Sequence, residues 1–184
     1  MNVPNKLSMF RVLLVPVLVG LYYLGKGGYE FSELITYFLA PVFIVASLTD
    51  FLDGYIARKY NLVTVFGKFI DPLADKLIVM AALLVLNDSG VIDIWITVVI
   101  LSREFIVTGI RLIAVGEGKV IAASNLGKYK TASTMIALVL LLMIPYTEVL
   151  ELPGMIILYI GTFLTVVSGL DYFIKNKKIL TESI

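Results

Sequence analysis

Neither cysteine nor histidine occurs anywhere in the 184 residues. The first absence excludes a disulfide framework and a thiolate metal site. The second excludes a hydrolase triad built on imidazole and a histidine-ligated zinc. Charged residues are scarce as well, at 16% of the chain, and the net charge of +1 gives no reason to expect a nucleic-acid partner. Carboxylates are left as the main source of acid–base or metal chemistry. Apolar residues fill most of the chain: 59% are hydrophobic and the mean hydropathy is +0.96. A soluble core cannot absorb that excess, which points to the bilayer.

Six stretches are long enough, or nearly so, to cross a hydrocarbon layer about 30 Å thick as helices of about 20 residues. They are Leu7–Leu24, Leu34–Ala57, Lys68–Leu86, Ile92–Val115, Leu126–Tyr146 and Met155–Phe173. Lipid offers the backbone no hydrogen-bond partner, so these are expected to be helices. Runs such as "LIVMAALLVL" at Leu77–Leu86 lack the alternation of a membrane barrel strand. "GKGG" at Gly25–Gly28, "NDSG" at Asn87–Gly90, "GEGK" at Gly116–Lys119 and "LPG" at Leu152–Gly154 mark connections between spans. The more polar "VPNKLSMFR" at Val3–Arg11 reads as a short interfacial helix leading into the first span. The opening apolar run has no small-x-small cleavage site after it and is expected to stay in the mature chain. No repeat or linker divides residues 1–184, so a single domain is expected.

Of the 15 Lys and Arg residues, only Lys26 falls on one side of the expected bundle. By the positive-inside bias, both termini and the connection after the second span lie in the cytoplasm. The chain is therefore expected in the cell membrane, multi-pass, with that connection facing the cytoplasm.

Between Asp50 and Lys76 the sequence reads "DFLDGYIARKYNLVTVFGKFIDPLADK", placing four aspartates in or beside apolar runs. One ionised side chain at the centre of a membrane helix costs about 2.5–3.5 kcal/mol even on the lenient insertion scale. Four would approach the whole stability of a domain, about 5–15 kcal/mol. They must lie near an interface, face a wet cavity or hold cations. At 100° per residue, Asp50, Asp53, Gly54 and Ala57 fall within an arc of about 100° on one helix. Gly67, Asp71 and Asp75 fall within about 80° on the next. The short connection makes these helices antiparallel neighbours, so the acidic stripes can face each other. Carboxylates without nitrogen or sulfur ligands suit hard cations such as Mg2+ or Mn2+. Small residues beside them, with Arg58 at the same mouth, describe a phosphoryl or pyrophosphoryl site.

The spacing D-x2-D-G-x2-A-R-x8-G-x3-D-x3-D resembles the signature of the CDP-alcohol phosphotransferase family, which Asp50, Asp53, Gly54, Ala57, Arg58, Gly67, Asp71 and Asp75 match without departure. The resemblance implies an all-α membrane fold of six spans. It implies transfer of a phosphatidyl group from CDP-diacylglycerol to an alcohol, with release of CMP and two divalent cations as cofactors. Asp50, Asp53, Asp71 and Asp75 would be the metal ligands, and Asp75 also the general base. Gly54, Ala57, Arg58 and Gly67 would form the cytidine and pyrophosphate groove with Asp53. Thr64 from the connecting loop and Asn5 and Ser8 from the N-terminal "PNKLSMFR" would join it. A homodimer is implied too, with Gly109, Gly161 and Gly169 as small residues suited to helix contacts.

Within the family, "SREFIVTGIRLIAV" at Ser102–Val115 and "NLGKYKT" at Asn125–Thr131 resemble the bacterial branch whose acceptor is sn-glycerol 3-phosphate. A second phosphate needs cations beyond Arg58. Arg103 and Arg111 lie about 80° apart on the fourth span, and Lys128 enters the fifth, so these three are the expected acceptor ligands. Glu104 offers Arg103 a counter-charge. The residues alone leave open serine, inositol phosphate or phosphatidylglycerol as acceptor, and a divalent-cation pathway in a small transporter.

Overall fold

The computed structural model describes residues 2–28, 30, 32–60, 65–116 and 125–182. Among them the regular structure is helical: α1 (Val3–Lys26), α2 (Ser32–Thr36), α3 (Leu39–Lys59), α4 (Val65–Asp88), α5 (Ile94–Gly116), α6 (Asn125–Leu142) and α7 (Glu151–Glu182). By length and composition, Val3–Lys26, Ser32–Ile56 and Glu148–Lys175 are each able to cross a membrane, so this is a helical membrane protein. Its outer surface agrees: Phe51, Trp95 and Phe163 are 70%, 74% and 68% exposed, which suits lipid and would be a liability in water.

The expected interfacial segment over Val3–Arg11 is instead the opening of one continuous 24-residue helix. Asn2 stands at its N-cap and Pro4 in its first turn, where a missing N–H leaves no bond unmade. Asn5, Ser8 and Arg11 recur every third residue and are buried in the bundle. The polarity that suggested a membrane surface is directed inward.

α1 packs extensively against both α3 and α4, which touch each other far less. A second layer comes from α6 on α7, with α5 against α7. Leu18, Phe43, Ile78, Leu83, Leu138 and Leu158 fill the core, none more than 1% exposed. In lipid, helices associate through close packing rather than removal of water, so small residues matter. A Cβ at Gly154 would lie 2.7 Å from Leu141 Cδ2, and one at Gly161 3.0 Å from Ser133 Oγ and 3.1 Å from Thr134 Oγ1. A Cβ at Gly169 would lie 3.0 Å from Arg103 Cγ. Gly161 and Gly169 therefore serve contacts of α7 with α6 and α5 inside one chain, whereas Gly109 has open space beside it. Gly161→Val should force α6 and α7 apart at an over-packing cost of about 1–3 kcal/mol. Thermal unfolding in detergent should show a drop of several degrees, and an unchanged transition would refute this contact.

At the end of α1 remote from Ser8, Asp88 accepts hydrogen bonds from Lys26 Nζ and Tyr22 Oη, both at 2.8 Å. The Lys26 bond, then the Tyr22 bond, holds the Asp88 carboxyl below its usual range. The stabilisation is present above the ordinary carboxylate pKa and fades as pH falls through the lowered value. Both partners are about half exposed, so it is small.

Candidate active site

The acids of α3 and α4 meet through side chains of α1. Arg11 is fully buried, and its Nη1 lies 2.6 Å from Asp50 Oδ1 while its Nη2 bonds Asp53 Oδ2. One turn earlier, Ser8 donates to Asp71 Oδ1 and lies 3.3 Å from Asp53 Oδ2 and 3.1 Å from the Pro4 carbonyl. A hydroxyl has one proton to give, so Ser8 bonds one of these oxygens at a time and neutralises neither acid. Asp50, Asp53 and Asp71 thus share one polar core with Ser8 and Arg11, drawn from three helices.

Among the described residues, no three acidic side chains already converge as ligands of one ion. The guanidinium and the hydroxyl stand between them instead. The chemistry of the donor set nevertheless fits a hard divalent cation, because every acid offers oxygen alone. Three carboxylates against one guanidinium leave a surplus of two negative charges, the charge of one such ion.

Asp75 lies one helical turn beyond Asp71, within electrostatic reach of Asp50, Lys76, Arg11 and Glu104. It lines a cavity of about 40 Å³ whose other polar walls are Lys76, Glu104, Lys130, Thr131 and Thr134. A carboxylate there can take a proton from a hydroxyl entering the cavity.

Of the other residues singled out from the sequence, Asn5 is 6% exposed on the same face of α1 as Ser8. Gly67 is buried at the start of α4, and Gly54 follows Asp53 on α3. Thr64 lies outside the described residues, as do the side chains of Ala57 and Arg58. The three expected acceptor cations do not share one environment. Arg103 donates to Ser168 Oγ at 3.1 Å and to Glu104 Oε1 at 3.3 Å. Arg111 lies over the Tyr172 ring at 5.6 Å, and Lys128 is exposed.

Three charged residues that the sequence reading did not place in a site belong here. Arg11 counted only toward topology, although its spacing from Asn5 and Ser8 traces a polar stripe. Lys130 is 3% exposed, and it continues inward the buried stripe Thr134, Ala137, Leu138 and Leu141 of α6. Lys76 follows Asp75 and reaches Glu104 at 3.4 Å.

Residues 1–167 match the sequence pattern of the family described as CDP-alcohol phosphatidyltransferase. The chain is 44% identical to the CDP-diacylglycerol–glycerol-3-phosphate 3-phosphatidyltransferase of Bacillus subtilis, over 99% of this chain and 98% of that protein. Proteins of the same name from Rickettsia bellii and Haemophilus influenzae are 41% and 39% identical. The first match covers 96% of each chain, and the second covers 100% of this chain and 97% of the relative.

Proposed function

The chain belongs to the CDP-alcohol phosphatidyltransferase family, and from that membership we propose that it transfers the phosphatidyl group of CDP-diacylglycerol to sn-glycerol 3-phosphate, releasing CMP. The observation that carries this reading is the junction of two environments at Asp75. On one side lies the acidic core of Asp50, Asp53 and Asp71, and on the other a cavity walled by Lys76 and Lys130.

Asp50, Asp53, Asp71 and Asp75 would hold two divalent cations, Mg2+ or Mn2+, which would supply charge neutralisation at the pyrophosphate and for the departing nucleotide. Asn5, Ser8, Gly54, Ala57, Arg58, Thr64 and Gly67 form the groove for the cytidine and pyrophosphate, with Asp53 at its floor. Small residues there let a bulky nucleotide approach the helix backbone. Asp75 takes the proton from the glycerol hydroxyl as that oxygen attacks the phosphatidyl phosphorus and CMP departs. Arg111 and Lys128 attract the acceptor's phosphate at the mouth, and Arg103 supplies a positive charge deeper in. All six long helices cross the cell membrane. The distribution of Lys and Arg supports a site open to the cytoplasm. The family resemblance supports a homodimer, and the open space beside Gly109 is a place for a second copy's helix to approach.

The test is CMP release by the purified protein with CDP-diacylglycerol and a panel of acceptors. Release should require sn-glycerol 3-phosphate, fall to background with a chelator and return with added Mg2+ or Mn2+. Equal release with serine or inositol phosphate would overturn the acceptor assignment, and chelator-resistant release would overturn the metal assignment.

A further inference from the structure

Arg11 directs Nη1 at Asp50 and Nη2 at Asp53, while its Nε, buried like the rest of the side chain, has no hydrogen-bond partner among the described residues. The carboxylate oxygens it meets are the ones expected to bind metal. Asp53 Oδ2 faces Ser8 as well as Arg11, and Asp71 Oδ1 accepts from Ser8. An ion that binds Asp50 and Asp53 competes with the guanidinium for the same lone pairs, and two cations side by side on one carboxylate repel each other.

If Arg11 left its acids alone, its charge would be stranded inside the bundle, so it can leave only where another anion receives it. The guanidinium fork fits a phosphate as well as a carboxylate, and the nucleotide donor carries two. The Nε hydrogen, unused against α3, is a further donor for such an anion. We propose that Arg11 is an exchangeable counter-cation, which holds Asp50 and Asp53 in the metal-free site, then yields them to divalent cations and pairs with the pyrophosphate of the nucleotide. The proposal rests on the functional reading above and adds the way in which the site is loaded. Each half of the exchange alone strands a charge: the guanidinium if only metal enters, and Asp50 with Asp53 if only nucleotide enters. Metal and nucleotide binding are therefore coupled through Arg11, over and above any direct contact between them.

The experiment reads Mn2+ binding to the full-length protein in detergent by electron paramagnetic resonance of the free ion. It is run with and without saturating CDP as a soluble nucleoside diphosphate, and a protein-free titration subtracts the Mn2+ held by CDP itself. Without CDP, Arg11→Gln should bind Mn2+ about tenfold more tightly than the parent, because the ion no longer displaces a guanidinium. The factor by which CDP tightens Mn2+ binding should be about tenfold larger in the parent than in Arg11→Gln. An affinity in Arg11→Gln no tighter than the parent's, or an equal CDP factor in both, would overturn the proposal and leave Arg11 a fixed clamp. If Arg11→Gln loses its melting transition, Arg11→Lys reads the same exchange with smaller changes of the same sign, since an ammonium holds two carboxylates less well. Parent-like Mn2+ affinity and CDP factor in Arg11→Lys would then overturn it. Mn2+ results as stated, with no CMP release by the parent on CDP-diacylglycerol and sn-glycerol 3-phosphate, would overturn the functional reading and keep the exchange. Normal CMP release by the parent, with parent-like Mn2+ binding in the variants, would do the reverse.

Discussion

Asp75→Asn lowers CMP release by about 10²–10⁴-fold, the range of a lost general base, and leaves CDP-diacylglycerol binding nearly unchanged. The substitution keeps the size of the side chain and removes its capacity to accept a proton. Binding survives because the clamp of Ser8 and Arg11 on Asp50, Asp53 and Asp71 does not pass through Asp75. Asp75 lines the cavity beside Lys76, Glu104 and Lys130, and is placed to accept a proton from a hydroxyl that enters it. Two roles for Asp75 are separable by metal concentration. A variant that has lost only a metal ligand regains turnover as Mn2+ is raised, whereas one that has lost the base does not. The measurement is single-turnover CMP release at saturating CDP-diacylglycerol over a Mn2+ series. Recovery of the parent rate at high Mn2+ would reject Asp75 as the base and keep it as a ligand.

The acids were legible because a charge within an apolar run is expensive wherever the helix faces, and the helical angle then assigns Asp50 and Asp53 to one stripe and Asp71 and Asp75 to the next. Their connection through α1 was not. In a membrane protein both the lipid-facing and the core-facing sides are apolar, so hydropathy does not say which side of α1 or α6 is inward. Lys128 and Lys130 illustrate the consequence. They are two residues and about 200° apart, and only the packing of Thr134, Ala137 and Leu138 into the bundle shows that Lys130 is the inward one. Arg11 was hidden by a competing explanation, since a cation near the end of a first span already satisfies the topology rule. Gly161 and Gly169 mark close helix approaches, as their size suggested, but a glycine carries no information about whether its neighbour belongs to the same chain or to a second copy.

Arg11→Ala destabilises the protein by about 3–5 kcal/mol, the cost of leaving buried charges without their partner. For a chain of this length that is a fall on the order of 10 °C in the melting temperature. Arg11 is 0% exposed, and one guanidinium spans Asp50 and Asp53 a turn apart on α3. Arg11→Lys should recover only part of the loss, because an ammonium is a point charge and cannot fork across two carboxylates. Divalent cations offer a second way to compensate the same acids. Mg2+ or Mn2+ should therefore raise the melting temperature of Arg11→Ala more than that of the parent. Arg11→Ala combined with Asp53→Asn removes one of the stranded charges and should regain stability, a coupling readable as a double-mutant cycle, while CMP release should be lost with the Asp53 carboxylate. Differential scanning in detergent, with and without Mn2+, decides the matter. A parent-like transition for Arg11→Ala, insensitive to metal, would mean that the acids hold together without the guanidinium, and the α1 clamp would then have no part in building the site.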